Sequence, residues 1–534
     1  MTSTVSRLYD LEDIDMEDEL EMELARCFFQ FRESVNNKSE IELHNYLQEK
    51  SSQSKRDYAE IASALLYGIL TEPENERTHF QCLSLVNRDN FGVVLGKLHP
   101  IAIAIKFHNL NVRTKEQMLW FINQLTDLNV QNVESMYLCL LRQIRGGDIG
   151  PSNTTFCFQM LKLLESHRNW LDMYPRVMAT AVYTYMRMIT EHRSIQYQSL
   201  QQREIKFVVD LLRSKWLACC IIGRDLVRLL QDLTTIPEFH QLWNDILNAP
   251  QSLAPSFKGI HTLLQTPTPR EFLRCRLTNE IEHKLLFILQ NLRANQYQRN
   301  LGWFIQKFLA QSESFYVDII RYLVAGWYPS NQILQSDIVP RYVIIGSLLR
   351  GIKNPVVAAN VRLALIFDWL FFTPTDNIMF IEPSMLLMER SAERYPYITA
   401  VIMDFLRCTV EDYYPPMRDH MAKCVATGMR VMLEKGVLRG LKGIYACPTT
   451  EDGTRANMQA LFSEFLDREG RDGNAPEPRI PAAPVIAHPT ATPSPGANDE
   501  TLATSMPDGE DGEIVDHQPM EDDDVDRYLY GEAG

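Results

Sequence analysis

The residues of this sequence that could bind phosphate are confined to two short stretches. Residues 146–150 (GGDIG) are the most glycine-rich part of the chain, but no strand pattern precedes them and Pro151 follows. Gly96 and Lys97 lack both the earlier glycine and the hydroxyl residue of a GxxxxGK[ST] loop. We therefore interpret residues 146–150 as an interhelical turn, with Pro151 helping to start the next helix.

Motifs for catalysis and metal binding are missing from the sequence. It contains no HExxH, GxSxG or HRD pattern. None of its 12 histidines pairs with a cysteine at the spacing of a zinc site. The sequence therefore predicts no catalytic, cofactor-binding or metal-ligating residues, and we expect a protein that is not an enzyme.

A charged cluster, Arg224, Asp225 and Arg228, lies inside an otherwise apolar helical pattern. Such a cluster could bind an anion or contact a partner. The alternative is an ion pair between Asp225 and Arg228, which are three residues apart and share one helix face. We favour this pair, tying its helix to a neighbour.

An aromatic cluster, Trp369, Phe371 and Phe372, offers a second candidate site. Exposed rings of this kind stack on the bases of single-stranded nucleic acid. Residues 363–372 are almost wholly apolar, however, which favours a buried core helix.

The elements that must position these residues are helices. Apolar residues recur at helical spacing from residue 17 to residue 466, as in Ala62, Leu65, Leu66, Ile69 and Leu70. Proline recurs along this region and marks helix boundaries. Thr71-Glu72-Pro73-Glu74 has the spacing of a helix-starting capping box. We predict an all-α fold of stacked helical pairs, a HEAT-like α-solenoid without a clean internal period.

Charge divides the chain into three predicted domains. The formal net charge of −15 is concentrated at the ends, with −9 in residues 10–23 and −12 in residues 498–534; residues 1–9 carry +1, which leaves +5 for residues 24–497. We predict a disordered acidic N-terminus (1–16), a helical repeat scaffold (17–466) and a disordered tail, first proline-rich and then acidic (467–534). Within the tail, Tyr528-Leu529-Tyr530 is a candidate short docking motif.

Cysteine usage and hydropathy indicate the cellular compartment of the protein. The ten cysteines include no CxxC pair, and no basic-then-apolar start precedes them. No window has about 18 uninterrupted apolar residues. We expect free thiols in a reducing compartment and an intracellular, soluble protein without a membrane partner.

Several strings, in order along the chain, resemble the Integrator complex subunit 3 family, whose members also belong to the SOSS complex. One is TAVYTYMR at residues 180–187. The others are residues 70–73, 222–231, 236–239 with 242–243, 367–372, 381–383 and 414–416. No single string is diagnostic, but the ordered set covers most of the predicted scaffold. The sequence resembles the N-terminal half of that family.

The resemblance implies a nuclear, α-helical scaffold protein. Members of that family assemble the sensor of single-stranded DNA (SOSS) complex, in which they bind an OB-fold single-stranded-DNA-binding protein and a small third subunit. Single-stranded DNA is bound mainly through the OB-fold partner, in support of the DNA damage response and double-strand break repair. Family members also belong to the Integrator complex, which processes small nuclear RNA and regulates transcription.

One departure from the family pattern limits these expectations. Family members continue past an acidic linker into a second helical region, credited with dimerisation and contacts to other Integrator subunits. This sequence stops inside its acidic tail at Gly534, as a fragment, a short isoform or a lineage without the second half would. The resemblance assigns no partner-binding residues. The alternatives are a generic α-solenoid adaptor, such as a transport receptor for basic cargo, and a direct nucleic-acid binder.

Overall fold

The computed structural model describes residues 6–10 and 18–466. Over these ranges the chain folds into 26 α-helices. The only strand-like pairings among the described residues are two isolated bridges, Tyr9 with Leu110 and Arg293 with Ile338.

The helices are numbered in chain order. The first thirteen are α1 (Glu19–Val35), α2 (Glu40–Gln53), α3 (Lys55–Thr71), α4 (Glu76–Val86), α5 (Gly92–Ala102), α6 (Val112–Asp127), α7 (Val133–Arg142), α8 (Pro151–Ser166), α9 (Arg168–Leu171), α10 (Pro175–Glu191), α11 (Gln198–Ser214), α12 (Trp216–Cys219) and α13 (Arg224–Leu233). The second thirteen are α14 (Pro237–Asn248), α15 (Ile260–Gln265), α16 (Asn279–Asn291), α17 (Tyr297–Phe308), α18 (Tyr316–Arg321), α19 (Asn331–Leu334), α20 (Arg341–Arg350), α21 (Pro355–Ile366), α22 (Glu382–Ser391), α23 (Pro396–Asp412), α24 (Arg418–Glu434), α25 (Lys442–Ala446) and α26 (Asp452–Phe462).

Short 3₁₀-helical segments and one π-helical turn lie between the α-helices. The 3₁₀ helices are Phe107–Asn109, Ile195–Tyr197, Cys220–Ile222, Pro250–Ser252, Phe272–Arg274, Glu313–Phe315, Trp369–Phe371, Ile378–Phe380, Pro415–Met417 and Ser463–Phe465. A π-helical turn, Tyr322–Gly326, continues α18.

The helices start where the sequence offers a favourable first turn. Proline occupies the first turn of α8, α10, α14, α21 and α23, where its missing N–H leaves no hydrogen bond unmade. Ser39 and Glu42 form a reciprocal capping box at α2. The predicted box at Thr71 is wrong: Thr71 is the last residue of α3, and α4 begins at Glu76. Its spacing matched, but the apolar pattern of α3 runs through that position.

Each helix packs chiefly on helices nearby in the chain. Helix α3 contacts α1, α2 and α4, α10 contacts α7, α11 and α13, and α23 contacts α22, α24 and α26. The buried apolar side chains of these layers form one continuous core. This succession of local pairings confirms the predicted all-α, solenoid-like array.

Residues 6–10 differ from the expectation of a disordered N-terminus. Leu8 and Tyr9 are buried, and the backbone N–H groups of Arg7 and Leu8 donate to Glu21 Oε1 at 2.8 and 3.0 Å. Burial of these two apolar side chains, together with the two hydrogen bonds to Glu21, holds this segment against the body. The rest of that prediction, and the predicted disordered tail at 467–534, lie outside the described residues. The domain boundaries stay predictions.

No helix among the described residues combines the length and the apolar character needed to cross a bilayer.

Candidate functional site

The predicted charged cluster lies inside the protein, on α13. Arg224, Asp225 and Arg228 are each at most 2% exposed. As predicted, Asp225 pairs with Arg228, whose Nε donates to Asp225 Oδ1 at 2.7 Å. The same carboxylate also accepts two hydrogen bonds from Arg321 of α18, from Nε at 3.2 Å and from Nη2 at 2.7 Å. The cluster therefore joins two helices that are far apart in the chain.

A second carboxylate extends this cluster towards α21. Asp368 follows the end of α21, and its Oδ2 accepts from Arg321 Nη1 at 2.6 Å. Its other oxygen, Oδ1, accepts from Arg224 Nη1 at 3.3 Å. Arg321 thus bridges Asp225 and Asp368 with one guanidinium, a geometry that uses its planar fork of donors.

A third carboxylate, Asp318, lies one turn before Arg321 on α18. Arg187 of α10 donates to both of its oxygens at 3.1 Å. Arg276, in the loop before α16, donates to Asp318 Oδ2 at 2.6 Å and also pairs with Glu191 at the end of α10. Arginines from separate elements therefore converge on α18.

Together these residues form what we name the buried charge network. Its members are Arg187, Arg224, Arg228, Arg276, Arg321, Glu191, Asp225, Asp232, Asp318 and Asp368. Five arginines face five carboxylates, so the network is formally neutral. Such balance is what allows charges to be buried at all.

The network holds the carboxylates of Asp225 and Asp318 ionised. Burial alone would raise the pKa of Asp225, but the charges of Arg321 and Arg228 outweigh it and hold the pKa well below its usual range. Asp318 follows the same pattern, because Arg187 and Arg276 more than offset its burial and lower its pKa. Both carboxylates are saturated with donors and closed off from solvent, so they cannot act on a substrate.

The aromatic cluster is core, as predicted. Trp369, Phe371 and Phe372 are each at most 1% exposed. Trp369 stacks on Phe462 at 6.0 Å between ring centroids and donates from Nε1 to the carbonyl of Val425 at 3.0 Å. Trp369 thus packs against α24 and α26, and the buried rings of the cluster are not accessible for stacking on a nucleic-acid base.

The glycine-rich stretch is the predicted interhelical turn between α7 and α8, and Pro151 is the first residue of α8. Gly147 has a φ of 73°, a left-handed conformation that favours glycine. Its N–H donates to Glu191 at 3.1 Å. The turn packs tightly against Phe315, so no space for a phosphate group is present at Gly146.

A small pocket, missed by the sequence reasoning, lies beside this turn. We name it the Lys115 pocket; its volume is about 190 Å³. Its walls are the loop before α6, Lys115 of α6, the loop after α7, and the first turns of α8 and α16. The residues that line it are separated by up to 175 positions in the sequence, so spacing could not bring them together. The one signal in the sequence is weak: Lys115 is a lysine within an apolar helix pattern.

Metal-binding potential is low in the part of the chain that the structure describes. No group of three or more His, Cys, Asp or Glu side chains there could hold a metal ion. The ten cysteines are free, and all but Cys408 are buried or half-buried. Burial raises the pKa of the Cys157 thiol, which keeps it in the unreactive protonated form.

Fold and chemistry together define a class of protein. The array is a helical-repeat fold in which the strongest charge clusters are buried and pair with one another. Residues 56–460 match the family model described as Integrator complex subunit 3 N-terminal. The chain belongs to the Integrator complex subunit 3 family, as its ordered strings predicted.

Individual relatives agree with the family model. Integrator complex subunit 3 of Homo sapiens is 38% identical over 464 residues, which are 86% of this chain and 44% of that protein. The Pongo abelii protein is 38% identical over 463 residues, again 86% and 44%. The Integrator complex subunit 3 homolog of Anopheles gambiae is 35% identical over 495 residues, 92% and 45%. The chain thus spans somewhat under half the length of these relatives, whose names are those of complex subunits rather than enzymes.

Proposed function

We propose that this chain is a non-enzymatic scaffold subunit of the Integrator and SOSS type. The observation that carries the proposal is the family match, which runs through nearly the whole helical array at residues 56–460. A helical array supplies a long, continuous surface for partners. The charged residues that would otherwise suggest a catalytic centre serve as internal supports.

The finer proposal concerns the partners of this half of the family. We expect the array to bind an OB-fold single-stranded-DNA-binding protein and a small third subunit in the nucleus. In that assembly single-stranded DNA is held mainly by the OB-fold partner, in support of the DNA damage response and double-strand break repair. The relatives' shared name favours other Integrator subunits as further partners, with a role in small nuclear RNA processing and transcription regulation.

Apolar side chains left on the surface are compatible with protein partners. Met22 and Phe29 are seven residues apart on α1, and Leu217 and Ile221 are four apart around α12; all four are 39–52% exposed. Scattered exposed apolar groups are normal on any protein. They supply positions at which a docking surface can be probed, and they do not define one.

The decisive experiment is co-elution, at micromolar concentration, of the purified full chain with the OB-fold protein and the small third subunit. A stable ternary complex is expected. A matched arm without OB-fold protein measures single-stranded DNA binding by the chain alone. Strong, salt-sensitive binding in that arm would favour a direct nucleic-acid binder instead.

The same preparation tests the adaptor alternative. A transport receptor for basic cargo needs an acidic inner face, whereas residues 24–497 carry a formal charge of +5. Basic peptides are therefore expected not to bind. Capture of such peptides, together with no co-elution of the OB-fold protein, would overturn the proposal.

A further inference from the structure

The Lys115 pocket contains a buried positive charge without a carboxylate against it. Lys115 is 7% exposed. Its Nζ donates one hydrogen bond, to the carbonyl of His108 at 2.9 Å, and has no ion-pair partner among the described residues. Burial lowers the pKa of Lys115, and the more distant charge of Asp10 opposes that effect. The Nζ atom also lies 5.9 Å from the centre of the Phe107 ring, a cation–π contact. An ammonium group has three donors and the described residues accept one hydrogen bond from it, so it can still donate to a ligand.

The other charges of the pocket are already paired. Glu280 accepts from Lys307 Nζ at 2.8 Å and lies 3.2 Å from His108 Nδ1. Asp148 accepts from the N–H of Gly150 at 2.8 Å, and its other oxygen is 3.8 Å from Arg145. The two carboxylates are therefore matched by Lys307 and Arg145, and the charge of Lys115 is the excess.

One helix N-terminus reinforces this positive potential. Ser152 and Asn153 in the first turn of α8 line the pocket. Helix α8 has 16 residues, long enough to carry a positive partial charge at its first turn, and Gly150, which caps it, supplies no side-chain hydrogen bond. The start of α16, by contrast, is capped by Thr278 and carries Glu280 and Glu282. An anionic group in the pocket would meet Lys115 and the first turn of α8.

The pocket also has apolar lining. Ile105, 44% exposed, and the buried rings of Phe107 and Phe156 line it beside Lys115. A ligand that matches both parts of this lining would carry a carboxylate next to aliphatic or aromatic side chains.

We propose that the Lys115 pocket is a binding site for an acidic peptide, and that its occupant is the acidic–aromatic segment of this same chain at residues 521–530. That segment reads EDDDVDRYLY, four successive carboxylates followed by an aromatic–aliphatic triplet. Residues 498–534 carry −12 against +5 for residues 24–497, so attraction between them is favourable over long distances. The 54 residues between 466 and 521 can span up to roughly 180 Å, so reach is no obstacle.

Zero-length carbodiimide crosslinking of the full chain, followed by mass spectrometry, tests this docking directly. The reagent joins an amine to a carboxylate only when the two are in contact. A crosslink from Lys115 to residues 521–526 is expected, and it should weaken about tenfold at 1 M salt, where charges are screened within about 3 Å. The ion pair between Lys97 and Glu23, 2.9 Å apart, provides an internal control.

Two variants and a mixing arm complete the test. In Asp522→Asn/Asp523→Asn/Asp524→Asn, which leaves Glu521 and Asp526 as the remaining carboxylates of residues 521–526, the Lys115 crosslink should weaken, and amide exchange at residues 152–153 should accelerate. In Lys115→Met the acidic segment should lose its crosslink while the Lys97 control persists. Crosslinks from Lys115 only to residues 11–17, crosslinks only between ¹⁵N-labelled and unlabelled chains, or unchanged amide exchange in the triple variant would each overturn the proposal.

Discussion

Asp225→Asn is the sharpest perturbation of the buried charge network. The substitution keeps the shape of the side chain and removes one negative charge. Asp225 is fully buried and accepts three charge-assisted hydrogen bonds, one from Arg228 and two from Arg321. The variant retains one acceptor oxygen, but its amide nitrogen faces a guanidinium. The five arginines of the network then face only four remaining carboxylates.

The expected cost follows from that imbalance. Removing one partner of a buried ion pair costs about 3–5 kcal/mol, because the other charge stays desolvated. Asp337→Asn is the matched control, since Asp337 pairs with Arg293 at 2.9 Å on the surface, with side chains 49% and 63% exposed. An exposed pair contributes less than about 1 kcal/mol. The network predicts a clear separation between the two variants.

The buried charge network also predicts how the stability difference between wild type and Asp225→Asn depends on pH. The folded pKa of Asp225 lies below its ordinary value of 3.8. A carboxyl with a depressed folded pKa stabilises the fold above its unfolded pKa, and the contribution is lost as pH falls through the folded pKa. The difference in free energy of unfolding between wild type and Asp225→Asn should therefore be constant from neutral pH to about pH 5 and shrink below about pH 4.

The assay combines urea unfolding of the full chain with hydrogen exchange of α13 and α18. The exchange measurement is needed because a long helical array can unfold in parts. Faster exchange confined to these helices and their neighbours is expected. A loss below about 1 kcal/mol, or one equal to that of Asp337→Asn, would refute the claim that the network supports the array.

Three further predictions concern packing, backbone and thiol reactivity. Trp369→Ala should cost about 3–5 kcal/mol in urea unfolding, because the buried ring leaves a cavity, whereas Phe287→Ala at a 46% exposed position should cost less than about 1. Gly223→Ala should destabilise by more than about 1 kcal/mol, since φ is 75° and a Cβ would lie 2.8 Å from two backbone carbonyls. Gly443→Ala, in open space within α25, should be neutral or stabilising; equal effects of the two glycine changes would contradict this reasoning. In the folded chain iodoacetamide should label Cys408 first, and mass spectrometry showing faster labelling of a buried cysteine would contradict the burial pattern.

The helical array was predictable because its signal is local. The apolar spacing of Ala62 to Leu70 predicts one buried face of α3. The structure buries that face together with the rest of residues 61–70, because α3 packs against helices on several sides. Prolines such as Pro151 and Pro237 start helices where predicted. Pro100 instead lies inside α5, near its end, where few intrahelical bonds remain to be broken.

The charge network was predictable only in part, because its partners are distant in the chain. Asp225 with Arg228 follows from spacing three on one helix. Arg321, 96 residues further on, and Asp368 could not be assigned to them without the fold. Their signal was a charge inside an apolar run, such as Asp368 within residues 363–372. Such a residue indicates a buried partner without identifying it.

Strongly perturbed carboxyl groups usually direct attention to an active site. Here the perturbation has a structural cause, because each affected carboxylate is enclosed and saturated by arginines. Asp318 and Arg321, one turn apart on α18, connect α10, α13, the loop before α16 and the end of α21. Ion pairs are directional, so this arrangement fixes how the layers of the array are aligned as well as how tightly they pack. The proposed scaffold function needs that alignment, since a partner contacting several layers binds only if their spacing is held. The buried charges therefore support the fold, and the proposed binding of partners would depend on side chains outside the buried charge network.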